Sequence, residues 1–180
     1  MAWISRMDSK LCKMKTLVKT LTAEDVASRL GDLFKDELKD IYWCETELPA
    51  TISEMKEEAS SQRLIATLDS MLLETTEHIK RVETIFTLIG MTPVTTKCLA
   101  MEGLIKDASL PTKTYKKGAL RDAAIISAAK KIEHYEIASY GTLKGFAETL
   151  LLANAASVLD TILTEEKDTD QQLSEIAWPA

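Results

Sequence analysis

Residues 90–118 read GMTPVTTKCLAMEGLIKDASLPTKTYKKG, and the fold turns on this stretch. It holds two of the chain's four prolines, several threonines and one short amphipathic piece around 99–108. That length and composition describe a long crossover carrying a small helix, not a tight turn. Two helical patterns precede it. The nearer covers 61–89, where Ile65, Leu68, Leu72, Thr75, Ile79, Val82, Phe86 and Ile89 form a 3-4-3-4 seam that Gly90 and Pro93 end. The farther covers 28–59, where Leu30, Phe34, Leu38, Ile41, Leu48, Ile52 and Met55 recur at helical spacing. Pro49 lies inside that pattern and is expected to kink the helix or mark a short break. Two more patterns follow the crossover, over 119–150 and 154–177, joined by a short link with no Pro or Gly after Gly145. Short, long and short connections predict an up-down pair, a crossover and a second pair. This is the connectivity of an all-α, ferritin-like four-helix bundle with one long crossover.

Composition agrees. The chain has 180 residues, 46% of them hydrophobic, enough for a single domain with a substantial core over 28–178. Residues 1–27 are expected to form an N-terminal extension, a mobile or accessory arm, since they lack a signal-type apolar core and an evident cleavage site. Six Gly and four Pro are few, and the abundance of Leu, Ala, Glu and Lys favours long helices over a β-sandwich. A net charge of −6, mixed along the chain, offers no basic patch for nucleic acid. No apolar run reaches the roughly 18–20 residues of a membrane span. Cys12, Cys44 and Cys98 are widely spaced, odd in number and without a CxxC pair. They read as reduced, packed thiols of a cytoplasmic protein rather than a disulfide frame or a zinc site.

The polar residues on the apolar faces carry the chemistry. At about 100° per residue, Glu133, Glu136 and Tyr140 fall inside the face defined by Ile125, Ala129, Ile132, Leu143 and Ala147. Glu166 and Asp170 fall within the face of the last helix, with Glu165 at its edge. Glu45 lies between Ile41, Leu48 and Ile52, while Glu74 and His78 lie on the flank of the second helix's seam. Ionised carboxylates gathered in a low-dielectric core each cost several kcal/mol unless protonated, paired with Lys or Arg, or bound to a cation. Lys131, Lys144 and Lys167 project away from the apolar centres. A dinuclear site of divalent ions removes the cost directly, because such ions take bridging carboxylates and a histidine or two. The plainer alternative is a set of boundary glutamates brought together by chance, with Tyr140 a packed core phenol and His78 and His134 facing solvent.

Four stretches, LKDIYWCETEL (38–48), KCLAMEGLIKDA (97–108), RDAAIISAAKKIEHYEIASYGTL (121–143) and LTEEKDTDQQLSEIA (163–177), resemble the YciF-type stress-protein family of ferritin-like domains. The resemblance covers about residues 28–177. It implies a bundle related in architecture to rubrerythrin and ferritin, a homodimer, and a role in bacterial stress responses. Glu45, Glu74, Glu133, Glu136, Glu165 and Glu166 match acidic positions typical of the family. One departure is that the family often has HLxET on helix two where this chain reads MLLET, placing Met71 where a histidine is common. His78 stands where a glutamine is common, and the ExxH pairs of ferritin and rubrerythrin are absent from helices two and four.

Two functions follow as expectations. In the first, a dinuclear iron or manganese site acts on peroxide or oxygen. Glu45 and Glu166 serve as terminal ligands, Glu136 as a bridge, and Glu74 with His78 or Asp170 completes the set, Glu133 being held in reserve. Tyr140 would hydrogen-bond a ligand or donate an electron. Without CxxC pairs for a rubredoxin-type centre, a self-contained rubrerythrin peroxidase is not expected. In the second, the chain is a non-enzymatic helical dimer for stress protection or partner binding, with vestigial inward carboxylates.

Overall fold

The structure, a computed structural model, describes residues 22–177, and among them every regular element is a helix. The elements are α1 (Ala23–Glu58), α2 (Gln62–Leu88), α3 (Leu99–Ala108), α4 (Leu110–Thr114), α5 (Ala119–Thr149) and α6 (Ala153–Ala177). The first helix therefore starts five residues earlier than its apolar pattern. Thr22 is the reason: its Oγ1 accepts from the Asp25 N–H at 3.0 Å, and Asp25 accepts from the Thr22 N–H at 3.0 Å, a capping box. Glu24 and Asp25 in that first turn are polar and Val26 is exposed, so no periodicity announces it. The rest of the expected N-terminal extension lies outside the described residues.

Two hydrogen bonds establish the connectivity. The Asp122 carboxylate, in the first turn of α5, accepts from the Ser60 N–H at 2.8 Å and the Ser61 N–H at 2.9 Å. The starts of α2 and α5 thus lie at the same end of the molecule, and the two helices run in the same direction. Residues 89–118 must then travel the length of the 27-residue α2, about 40 Å at 1.5 Å per residue. Arg63, at the start of α2, meets Glu175 at the end of α6 at 3.4 Å, so α6 runs back antiparallel to α2. The result is a four-helix bundle with one long crossover, in which α1 packs on α2 and α5, and α6 on α5 and α2.

Each long helix buries a seam with steps of three and four. On α1 it runs Phe34, Leu38, Ile41, Glu45, Leu48, Ile52 and Met55. The helix continues through Pro49 over its 36 residues, so the proline marks no break. On α2 the buried line is Leu64, Leu68, Met71, Thr75, His78, Val82 and Ile85. This is one position round from the seam expected from sequence: Ile65, Leu72, Ile79 and Ile89 are only half-buried, flanking the core. The rotation moves His78 from the flank to the centre. On α5 the line includes Ile125, Ala129, Ile132, Glu136, Tyr140, Leu143 and Ala147, and on α6 Ala155, Leu159, Ile162, Glu166, Thr169 and Leu173.

The α5–α6 turn, which had no Gly or Pro to mark it, is closed by Leu151 in the left-handed region at φ 58°. The Leu152 N–H donates to Ala147 O at 2.9 Å and the Leu151 N–H to Glu148 O at 3.1 Å. Gly90, at φ 72°, ends α2 with the same pair of bonds. Among the described residues no helix is long and apolar enough to cross a membrane.

Candidate metal centre

All four long helices contribute to one cluster at mid-bundle. Glu45 from α1, His78 from α2, Glu133 and Glu136 from α5 and Glu166 from α6 are each at most 4% exposed. His78 Nδ1 lies 3.1 Å from Glu166 Oε1 and 3.6 Å from Glu45 Oε1. Its Nε2 meets Glu165 Oε2 at 2.9 Å, and Glu165 also pairs with Arg81 at the rim. Tyr140, fully buried, donates its hydroxyl to Glu45. A cavity of about 10 Å³, room for roughly one water, is lined by Glu74, Thr75, His78, Glu133, Glu136 and Glu166 among others.

The ligand-type atoms form two groups. One oxygen or nitrogen from each of Glu45, His78 and Glu166 lies within 4.8 Å of the others, and so do oxygens from Glu133, Glu136 and Glu166. Glu166 belongs to both groups, so it, rather than Glu136, has the position of a shared ligand. Three carboxylate oxygens of the cluster, Glu45 Oε2, Glu133 Oε2 and Glu136 Oε1, are buried with no hydrogen-bond partner. Buried polar atoms are nearly always satisfied, and no Lys or Arg lines the cavity.

The electrostatics carry the same strain. Burial, then the facing Glu166 carboxylate, pushes Glu133 well above the ordinary carboxylate range. Burial, then Glu166, Glu45 and Glu133, does the same to Glu136. Glu45 is raised by burial, against the opposing pull of His78. Burial alone would lower His78, but its hydrogen bonds to Glu166 and Glu45 outweigh that and hold the imidazolium up to about 11. Glu165 goes the other way: burial raises it, but Arg81 and His78 bring it below the usual range. Tyr140 is pushed well up, first by burial and then by Glu45.

The other expected residues are placed differently. Glu74 lines the cavity, yet both its oxygens are engaged, accepting from Ser70 Oγ at 2.9 Å and Thr169 Oγ1 at 2.8 Å. Asp170 is not brought into the cluster. It accepts from Lys130 at 2.5 Å and pairs with His134 at 3.0 Å on the outer side of α6. The seam of α6 steps from Glu166 to Thr169 and Leu173, so Thr169 takes the inward place. Inward side chains of bundle di-metal proteins include Glu-x-x-His pairs on two helices. Here those i, i+3 places are Thr75 with His78 and Glu166 with Thr169, so one threonine replaces the Glu and the other the His. Thr75 appeared in sequence only as a seam position and Thr169 not at all, although the three-four spacing of buried positions contains them both.

The donor set fits divalent ions. Four carboxylates and a neutral imidazole, all hard or borderline ligands, balance the charge of two such ions. Two of the three orphaned oxygens, Glu133 Oε2 and Glu136 Oε1, belong to residues lining the same small cavity, and the third, Glu45 Oε2, belongs to the adjoining Glu45–His78–Glu166 group.

A one-crossover four-helix bundle that buries a carboxylate–histidine cluster at its centre defines the class of protein. Within it, the chain belongs to the family described as a domain of unknown function, DUF892, whose model matches residues 29–179. The chain is 39% identical to the protein YciF of Escherichia coli over 149 residues, 82% of this chain and 90% of that one. The crystal structure of the E. coli stress protein YciF superposes with a TM-score of 0.79 at 38% identity, covering 82% of this chain and 94% of that chain. YcfI of Rhodopseudomonas palustris matches with a TM-score of 0.80 at 34% identity, covering 90% and 99%. A Xanthomonas campestris protein at 20% identity and a TM-score of 0.64, covering 84% and 89%, shares the fold. The resemblance seen in sequence is borne out.

Proposed function

We propose that this member of the YciF-type family is a ferritin-like stress protein holding a dinuclear iron or manganese centre that acts on hydrogen peroxide or dioxygen. The observation that carries the reading is a single cluster with three unpartnered, buried carboxylate oxygens, two of them on residues that line its ion-sized cavity. Glu45, His78, Glu133, Glu136 and Glu166 would hold the ions, Glu166 being the residue common to both groups of ligand atoms. Iron or manganese bound there supplies the capacity to exchange electrons with a peroxide or dioxygen substrate.

The chain's own residues prepare the place. His78 gives up a proton to offer Nδ1 as a neutral ligand, while Glu165, fixed by Arg81, holds Nε2 and so sets the ring's orientation. Tyr140 holds Glu45 in one rotamer through its hydroxyl. The apolar neighbours Ile52, Met71 and Ile132 keep bulk water from the cavity. The name stress protein, carried by the E. coli relative, agrees with a peroxide-facing role.

The test is peroxide consumption by protein reconstituted with Fe(II) or Mn(II), followed beside the Glu166→Ala variant. Metal-dependent consumption that the variant loses supports the reading. Metal-loaded protein that consumes no peroxide or oxygen above the free-metal control rejects the activity.

A further inference from the structure

A second cluster, of sulfur and polar side chains, lies outside the carboxylate site. Cys44 of α1 and Cys98, which caps α3, are 0% and 2% exposed. Their Sγ atoms, with a carboxylate oxygen of Asp40, lie within 4.8 Å of one another. The Cys98 Sγ also meets the Tyr135 hydroxyl at 3.0 Å, and that hydroxyl donates to Asp40 Oδ2 at 2.9 Å. The two sulfurs are 54 residues apart in sequence, one on a bundle helix and the other on the crossover. Packing alone would pair them with hydrocarbon. Instead they face each other, and a line of polar groups leads from them to the half-buried Asp40.

We infer that Cys44 and Cys98 form a reversible dithiol/disulfide pair that tethers the crossover to α1 when oxidised by a hydroperoxide. The step balances: one thiol sulfur takes an oxygen from the hydroperoxide to become a sulfenic acid, releasing water or alcohol. The second thiol then displaces water from that sulfur to form the S–S bond. Two thiols and one hydrogen peroxide thus give one disulfide and two waters, and an external dithiol restores the pair by exchange.

The local structure permits the closure. Cys98 precedes α3 in extended conformation, at φ −84° and ψ 110°, so its sulfur can move at the cost of the single cap bond it accepts from the Met101 N–H at 3.3 Å. The irregular stretch 91–98 that leads to it is mostly exposed. Among the described residues its backbone tie to α1 is the Thr96 N–H to Lys39 O bond, 3.1 Å. Opening of that stretch is the route by which a small oxidant reaches the pair. A structural zinc site is a poorer fit, because such sites gather four nitrogen or sulfur ligands. This cluster offers two sulfurs, with its carboxylate already accepting from Tyr135. The inference does not rest on the metal reading, since the two clusters share no ligand.

The experiment uses the full chain with Cys12→Ser to remove the remaining thiol, after chelation and without added metal. Treated with hydrogen peroxide, then alkylated under denaturing conditions and digested without reduction, it should yield a cross-linked peptide containing Cys44 and Cys98. The intact mass should fall by two hydrogens, both free thiols should vanish, and dithiothreitol should restore them. Cys44→Ser and Cys98→Ser should each abolish the cross-link. Because the digest reads the protein with both cysteines in place, a poorly folding serine variant leaves the test intact. Thiols that stay free, or that pass to sulfinic acid without a cross-link, overturn the inference. So does stoichiometric zinc that either serine variant removes and that blocks oxidation.

Discussion

Glu136→Gln should stabilise the metal-free protein at pH 8 while removing its capacity for metal. Glu136 is 3% exposed, its Oε1 has no hydrogen-bond partner, and the charges acting on it are the carboxylates of Glu166, Glu45 and Glu133. A buried unsatisfied polar group costs about 1–3 kcal/mol, more when charged. Glutamine keeps the shape and removes the ionisation, so a gain of about 1–3 kcal/mol is expected. At about 2–4 °C per kcal/mol for a domain of this size, the melting temperature should rise by about 2–12 °C. The pH dependence follows from the direction of the shift. A carboxyl whose folded-state pKa is raised contributes stability that is complete below its unfolded value, near 4.3, and is lost as pH rises through the folded value. Wild type therefore weakens from about pH 4.5 upward relative to the variant, and the gap closes in acid. Metal acts in the opposite sense: at a hundredfold excess over Kd, wild type gains about 2.7 kcal/mol that the variant largely forgoes, offsetting most or all of the gap. Thermal melts of chelator-treated and metal-loaded protein between pH 4.5 and 8 measure all of this. A metal-free Glu136→Gln protein that melts at or below wild type at pH 8 would refute the reasoning.

Tyr140→Phe keeps the ring but leaves Glu45 without its hydroxyl donor. It should cost about 1–3 kcal/mol in a denaturant titration and weaken metal binding by about 10–100-fold in a competition assay. Asp170→Asn should leave metal stoichiometry unchanged, because Asp170 is committed to Lys130 and His134. Loss of metal in that variant would place Asp170 in the centre after all. Leu151→Gly should raise the melting temperature by about 2–4 °C, since leucine at φ 58° and 88% exposure carries roughly 1 kcal/mol of left-handed strain.

The crossover was legible because Pro93, Pro111 and the threonine-rich stretch broke the helical period visibly. Glu45, Glu136 and Glu166 were legible because each occupies a seam position between strongly apolar neighbours. His78 was misjudged because α2 is apolar on two adjacent lines, and Ile65, Leu72 and Ile79 pulled the apparent centre one position round. Asp170 failed for the opposite reason. Periodicity places it within 40° of Glu166, but it cannot report that Lys130, one turn before His134 on α5, reaches across to it. The α5–α6 boundary stayed obscure because a leucine does there what glycine does at position 90. The cysteine pair joins residues 54 apart in sequence, a proximity that only the path of the crossover creates.

The most direct test of the account is the number of metal ions per chain. Chelator-treated protein, reconstituted anaerobically with Fe(II) or Mn(II) and freed of excess ion, should carry about two ions per chain by elemental analysis, the nuclearity of bundle carboxylate sites. Glu166→Ala, which removes the ligand common to both groups, should carry fewer than one. Wild-type protein that retains no stoichiometric metal, or a Glu166→Ala protein that retains two ions, would contradict it.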